Sequence, residues 1–530
     1  MPLALNQELL TKQIKKATMK LQILQRLIPI ACLLVSMNVL AYDFESGGIY
    51  YNITSSKNKT IEVTNNGLNS YTGDVSIPSS VMHEETTYIV TSIGKRAFYN
   101  SDNLISITIP NSITSIGLDA FSSCTGLTSI IIPNSVTSLG AGAFNDCTSL
   151  KYLRVEDGTE DLKLGYNSYT STGRGKGLFY DCPLETLYLG RGIDYPTDAY
   201  AFPEKYGYSA FYNKSTMKTI TIGNCVTSIN PYEFQNCTSL TSITMGNNVT
   251  SIRKRAFYNC RSITSIIIPN SVTAIGDQVF ELCTSLKDLR VEDGTKDLNL
   301  GYNYYKSTGT GESLFYDCPL ETVYLGRNLS YQSDYSHGFS PFYDKKTLKT
   351  ITIGNCVTSI SKSAFYDCSS LTSITIGDSL TSIGEHAFRG CSGITEITIP
   401  VKVTSIGEYA FYNCNKLATV TAERETPATA YATSFKGLPT NAVLYVPSVE
   451  SVDVYEAATG WNIFTTILPP FSLGDINCDG EVNVTDVVKL YSYILGHTTD
   501  IEESIVDLND DGEVNVSDIV KLYSIILSSN

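Results

Sequence analysis

Along this chain, apolar residues alternate with Ser, Thr and Asn in short bursts that return at a fixed interval. One burst reads Leu127-Thr128-Ser129-Ile130-Ile131-Ile132-Pro133, and another Ile394-Thr395-Glu396-Ile397-Thr398-Ile399-Pro400. Such alternation predicts a short strand with one buried face, ended by a proline that has no N–H for a ladder. A Val-Thr-Ser-Ile-Gly segment follows as a second extended piece. Ala-Phe then drives a tight helical or 3₁₀ turn with its ring in the core. One phenylalanine per unit forms a column running from Phe98, Phe121 and Phe144 to Phe435, and eight of its intervals are 23 residues. A single unit cannot bury its own apolar face, so neighbours must stack. The expected fold class is an α/β solenoid of short strands and short helical turns.

A larger duplication lies over the small one. Cys147–Arg191 and Cys283–Arg327 align at an offset of 136, and each copy lengthens one unit by twelve residues rich in Gly, Ser, Thr, Tyr and Lys. These insertions loop out. The strand position between the last two apolar residues faces outward. Down the stack it reads Thr108, Ile131, Arg154, Tyr188, Thr221, Thr244, Ile267, Arg290, Tyr324, Thr352, Thr375, Thr398 and Thr421. Arg154 with Tyr188, and Arg290 with Tyr324, break a Thr-rich column beside the Tyr-bearing insertions (Tyr166, Tyr169, Tyr302, Tyr304, Tyr305). Arg and Tyr are the residue types that carry binding energy, so these four are the candidate ligand contacts. The adjacent acids Glu156/Asp157 and Glu292/Asp293 point apart on a strand end and read as turns. No catalytic residues are assigned, and the chain is read as not an enzyme.

Of fourteen cysteines, ten lie three residues after a column Phe, and Ser101, Lys214 and Lys345 interrupt that series. Stacked rungs bring such thiols to about 5 Å, but with parallel side chains. They read as free, buried, small apolar groups.

Composition narrows the partners. A net charge of −15 and 17% charged residues argue against nucleic acid and against an anionic membrane. Residues 1–41 run against this trend, with five Lys/Arg and one Glu. There Lys20 and Arg26 precede the apolar run Leu27–Ala41, which is too short to span a bilayer and reads as a secretory signal cleaved after Ala41, with Met19 as an alternative start. The mature chain is expected to be secreted or held on a cell surface, with no transmembrane anchor.

The last 57 residues hold twelve acids and two lysines. Two twelve-residue segments stand out: Asp475, Asn477, Asp479, Glu481 and Asp486 in the first, and Asp507, Asn509, Asp511, Glu513 and Asp518 in the second. Oxygens at positions one, three, five and twelve converge with the carbonyl at seven, and Gly480 and Gly512 at six permit the turn. This is a donor set for two Ca²⁺ ions. Each loop leads into a matching apolar helix.

These residues carry two resemblances. The recurring Ala-Phe-x-x-Cys and Ser-Ile-Gly signatures resemble the BspA-like leucine-rich repeat (LRR_5) family over about 44–468. The resemblance implies a bacterial surface protein that binds host or neighbouring-cell components. The duplicated calcium segment resembles a type I dockerin, a small all-α module that folds on calcium and plugs into a cohesin on a scaffold protein. The expected organisation is a signal at 1–41, an entry cap at 42–90, repeats at 91–421 with two long-loop units, an exit cap at 422–468, a linker at 469–474 and the dockerin at 475–530. In dockerins the partner is read at loop positions ten and eleven and on the following helix. Here these are Val484, Thr485, Tyr491, Ser492, Val516, Ser517, Tyr523 and Ser524. The leading expectation is a non-catalytic adhesion protein whose solenoid takes a protein or glycan ligand. The alternative, since most dockerins accompany such enzymes, is a component of a cellulosome-like complex in polysaccharide catabolism.

Overall fold

A computed structural model describes residues 42–67, 71–165, 178–195, 209–301, 304–305, 311–312, 314–331, 340–469, 474–477, 481–497, 501, 506–509 and 511–528. Residues 1–41, expected to be a signal, Tyr166, Tyr169, Tyr302, Asp479 and residues 470–473 of the expected linker lie outside them.

The alternating bursts form parallel strands that stack in register, one per unit. Leu153 lies beside Ile130 on one side and Leu187 on the other, and Val323 lies beside Leu289 and Ile351. The Val-Thr-Ser-Ile segments make a second parallel ladder of short strands, such as Ser115–Ile116 beside Ser138–Leu139. Its closing glycines are forced by proximity: a Cβ on Gly140 would lie 2.4 Å from the Gly117 carbonyl carbon of the preceding rung. The apolar positions of both ladders and the Phe column merge into one core from Phe44 to Ile467, and a separate core joins Ile476, Val487, Leu490, Val506, Leu508 and Leu522.

The Phe column is continuous. Its rings stack nearly parallel from Phe98–Phe121 at 4.9 Å to Phe411–Phe435 at 5.2 Å. Each fully buried ring contributes roughly 1.5–3 kcal/mol from burial alone. Tyr71 closes one end of the column against Phe98 (4.4 Å), below antiparallel strands Ile49–Ser55 and Thr60–Thr64. Trp461 closes the other against Phe435 (5.0 Å), with its indole N–H donated to the Ala428 carbonyl. Helix α1 (Val449–Ala457) lies beside it in sequence.

One expectation fails locally. The segment around each ring is built of tight turns and not of a helical or 3₁₀ turn. On most rungs the residues two before and two after the ring are left-handed, as at Arg96 and Asn100 (both φ 57°) or Asp119 (51°) and Ser123 (62°). Asn and Asp tolerate that conformation better than other side chains, and they recur two residues after the ring at Asn100, Asp146, Asp181, Asn213 and Asn236.

The cysteines also do more than fill space. All ten column thiols donate to the carbonyl of the column Phe on the preceding rung, from Cys182 to Phe144 at 2.9 Å to Cys237 to Phe211 at 3.4 Å. Lys214 and Lys345 take over this role: their amines donate to the Phe179 and Phe315 carbonyls, and burial lowers the pKa of both. Burial pushes the Cys124 and Cys237 thiols up to about 12, so neither is a nucleophile.

The two ladders are interrupted in turn. Strand pairing stops between Leu104–Thr108 and Ser129–Ile132, between Ser242–Thr244 and Ser265–Ile268, and between Ser373–Ile376 and Glu396–Ile399. The short ladder stops after Ile193–Asp194 and after Leu329–Ser330. Both patterns recur every five rungs, staggered so that no rung boundary loses both ladders. Side chains stitch the short-ladder gaps. At the first, Asn230 donates to the Ile193 carbonyl at 2.9 Å, and the Tyr195 hydroxyl donates to Glu233 at 2.6 Å. At the second, Asn328 accepts from the Thr358 and Ser359 amides, and Ser361 donates to the Leu329 carbonyl.

Glu233 stands where most rungs have Ala, and burial raises its carboxyl to about 7. A raised acid stabilises the fold below its unfolded pKa, and this contribution is lost as pH climbs from about 4.5 to about 7. Glu233→Gln should therefore gain up to about 3 kcal/mol relative to wild type between pH 4.5 and 7.5, read as the difference between their melting curves at the two pH values. A second check uses thiols: a chain starting at Tyr42 with Cys478→Ser should show two reactive native thiols, Cys225 and Cys356, and twelve after unfolding without reductant.

Candidate ligand-binding face and calcium loops

The outward column is arranged as the strand pattern requires. Ile131, Arg154, Tyr188 and Thr221 sit side by side on consecutive strands, as do Ile267, Arg290, Tyr324 and Thr352. The Arg154 guanidinium lies 4.0 Å over the Tyr188 ring, and that of Arg290 lies 3.9 Å over Tyr324. Each Tyr hydroxyl donates to an aspartate: Tyr188 to Asp157 at 2.8 Å, and Tyr324 to Asp293 at 2.7 Å. Both phenols are raised, Tyr188 chiefly by desolvation and Tyr324 chiefly by the hydrogen bond to Asp293. Room for the pair comes from glycine on the next rung. A Cβ on Gly223 would fall 2.7 Å from Asp157 Oδ1, and one on Gly354 would fall 2.8 Å from the Tyr324 hydroxyl.

The adjacent acids serve separate partners. Glu156 accepts from the Asn134 amide at 3.2 Å, and Glu292 from the Asn270 amide at 3.1 Å. Beneath each patch lies a buried arginine. Arg191 donates to the Pro133, Asn134 and Val136 carbonyls, and Arg327 donates to those of Pro269 and Asn270. Both clamps span two rungs and fix the turn from which Ile131 or Ile267 emerges. Beside each patch, one glutamate takes two lysines: Glu185 meets Lys151 and Lys218 at 3.0 and 2.6 Å, and Glu321 meets Lys287 and Lys349 at 2.7 and 2.6 Å.

Sequence reasoning placed all four Arg and Tyr residues on this face. It missed Asp157, Asp293, Gly223 and Gly354, although the repeated Arg-Val-Glu-Asp-Gly and Gly-Asn-Cys-Val strings carried the signal. Tyr304–Tyr305 pairs with Gly311–Glu312 as a small antiparallel ribbon within the second insertion.

In the C-terminal segment, loop position nine caps the following helix and position twelve closes a capping box. Helix α2 (Val484–Ile494) is capped by Asn483, whose side chain accepts from Thr485. Asp486 accepts from the Asn477 and Asn483 amides at 2.9 and 2.8 Å. Helix α3 (Val516–Ser528) repeats this, with Asp518 accepting from Leu508, Asn509 and Asn515. At position eleven, the Thr485 and Ser517 hydroxyls accept from the amide nitrogens of Asn477 and Asn509, leaving each position-three Oδ1 as the oxygen a cation can use. Gly512 takes φ +82° at position six.

The residues fit a calcium site by donor chemistry. Asp475, Asp486 and Asp518 are fully buried carboxylates on loops whose other candidate ligands are oxygens. Among the described residues no three His, Cys, Asp or Glu side chains form a metal-holding group, and Asp479 lies outside them. A hard divalent cation bound here would neutralise these carboxylates. The chain's own part is to hold Asp486 and Asp518 at the helix starts.

Both helices turn an apolar stripe outward. Val484, Val488 and Tyr491 are exposed on α2, continued by Leu495 at its C-cap, and Val516, Val520, Tyr523 and Leu527 on α3. The sequence reading named the first and third of each stripe but not Val488, Leu495, Val520 or Leu527, whose i, i+4 spacing could have shown them. Thr485 and Ser517, also named, are engaged within the loops, while Ser492 is half-buried and Ser524 donates to the Lys521 carbonyl.

A family model described as BspA type leucine rich repeat region matches residues 69–203, 204–341 and 338–455 in six copies. One described as dockerin type I domain matches residues 473–527. Dockerins of this type bind Ca²⁺ and a cohesin partner. No curated protein matches. Among solved structures, a leucine-rich repeat protein from Bacteroides ovatus is 24% identical, covering 81% of this chain and all of that one, with a TM-score of 0.37. A leucine rich cell surface protein from Faecalibacterium prausnitzii is 22% identical over 81% of this chain and 95% of that one, with a TM-score of 0.32. No helix among the described residues is long and apolar enough to cross a membrane.

Chelation with EGTA should lower the melting transition of the 474–528 segment and leave that of the solenoid unmoved, read by scanning calorimetry. Asp518→Ala should cost the segment a further ~1 kcal/mol even without metal, because it also opens the capping box.

Proposed function

This chain belongs to the BspA-type leucine-rich repeat family, and on that premise we propose that it is a non-catalytic bacterial adhesion protein, exported and held in place through its dockerin. The repeat stack and the dockerin together make it a dockerin-bearing surface or cellulosome-associated protein. In this reading residues 1–41 direct export, the 42–468 stack presents a ligand-binding face, and residues 475–530 form a module that takes two Ca²⁺ ions and docks on a cohesin-type scaffold. Arg154, Tyr188, Arg290 and Tyr324 are the proposed ligand contacts for a protein or glycan.

The observation that carries the docking half is the pair of matching apolar stripes on α2 and α3. A soluble module seldom leaves such side chains in water unless a partner covers them. Val484 on α2 is 61% exposed and Leu527 on α3 is 76% exposed. The stripes point to an apolar cohesin face. Because they nearly repeat one another, either could face the partner, giving two binding orientations.

The test is a calcium-dependent pull-down of the full chain on a panel of purified cohesin modules. Tyr491→Ala or Tyr523→Ala alone should cost a few fold at most, since the other stripe remains. The double variant should lose roughly a hundredfold. Equal binding by wild type and double variant would remove the stripes as the docking surface.

A further inference from the structure

The two Arg–Tyr–Asp patches are related by translation along the stack. Five rungs separate Arg154 from Arg290, which at ~4.8 Å per strand is roughly 24 Å. Each patch has the same order, with an exposed Ile on the rung before and a glycine on the rung after. Both therefore point the same way. A two-fold symmetric partner would offer its copies in opposite senses. A linear polymer offers the same group repeatedly in one sense.

Charge narrows the polymer. The chain has 53 acids against 38 basic residues, yet the thirteen-residue outward column contains no acid, and its only ionised groups are Arg154 and Arg290. Thr221 and Thr244 lie between the patches, with Thr352, Thr375 and Thr398 beyond them. The face thus carries hydroxyls on nine of its thirteen rungs, with Ile131 and Ile267 each followed by a guanidinium, the two guanidinium groups five rungs apart. Each guanidinium is held over its Tyr by the ring, which the Tyr–Asp hydrogen bond fixes in turn, and one terminal nitrogen of Arg154 also lies 3.9 Å from the Asp157 carboxylate, so the guanidinium is positioned at little entropic cost and a ligand carboxylate takes its remaining donors. Planar guanidinium suits a carboxylate, and hydroxyls suit hydroxyls. An extended polysaccharide advances about one sugar per rung.

We infer that the two patches are subsites for one linear, uronate-bearing polysaccharide lying along the stack axis, with Arg154 and Arg290 each pairing with a carboxylate. This rests on the reading of the outward face as ligand-binding. It adds the ligand's chemistry and the requirement that both subsites be bridged.

The experiment probes the full chain with immobilised oligogalacturonides of two to twelve sugars and with carboxyl-reduced counterparts. Binding should rise steeply once the chain reaches about six sugars, the length that spans five rungs. Arg154→Ala and Arg290→Ala should each drop long-chain binding roughly a hundredfold, to the short-chain level, as expected when a bridging contact becomes monovalent. Both side chains lie at the surface, so an unchanged melting curve confirms intact variants. If either single variant binds long chains as wild type does, bridging is overturned while the face remains a binding site. If carboxyl-reduced chains bind equally well, the carboxylate pairing is overturned. If wild type binds no member, the polysaccharide assignment fails. The adhesive reading then stands or falls separately, on whether the four-residue Arg/Tyr to Ala variant loses attachment to intact cells.

Discussion

The whole stack depends on one arrangement, a phenyl ring lying on the ring of the unit before it while a donor from the next unit satisfies that ring's own carbonyl. Stacking excludes water from the turn, and the Phe carbonyl, which on most rungs accepts the backbone amide three residues on, has its second lone pair filled from the next unit. A thiol is a weak donor, but it is small enough to fit. Lys214 and Lys345 show that the requirement is for a donor and not for sulfur. Lysine answers it with a stronger hydrogen bond and pays in desolvation, which shows as a depressed ammonium pKa.

How much of this could be read from residues alone varied with the kind of interaction. The Phe intervals dictated stacking, and strand alternation dictated which column faces out, because both follow from periodicity. The thiol bonds were hidden because Cys–Phe carbonyl pairing joins residues mostly 26 apart, one rung plus three, which no local pattern displays. Two lysines in a cysteine column were the available signal, and they read as interruptions. Asp157 was likewise masked by its neighbour Glu156: adjacent acids on a strand end look alike in sequence, and only the fold sends one to an amide and the other to a phenol. In the calcium segment, the ligand positions were legible from spacing. The double duty of Asp486 and Asp518, which also fasten the helices, required the backbone geometry.

The duplication is functional in layout and structural in foundation. Each copy carries an outer patch and, beneath it, an arginine with less than a fiftieth of its surface exposed whose guanidinium is bound to carbonyls two rungs back. A buried charge of this kind is costly unless its donors are filled; the proline turn supplies carbonyls to the terminal nitrogens, while Nε of both arginines stays buried without a partner. The same motif therefore positions the exposed isoleucine and repeats the outer chemistry at a fixed advance. Copying the sequence block copied the spacing with it.

The alternating interruptions bear on what happens when such a rod is pulled. A protein gripped at its C-terminal end and attached elsewhere along its face carries tension down its length. A ladder unbroken from end to end would resist until it failed at once. Here each boundary between five-rung cassettes is held by one strand ladder, the continuous ring stack and core, and a few side-chain stitches, so extension would start at these boundaries. Extension would then proceed in steps, dissipating energy as a shock absorber does, and the cassettes could re-form when the load is released.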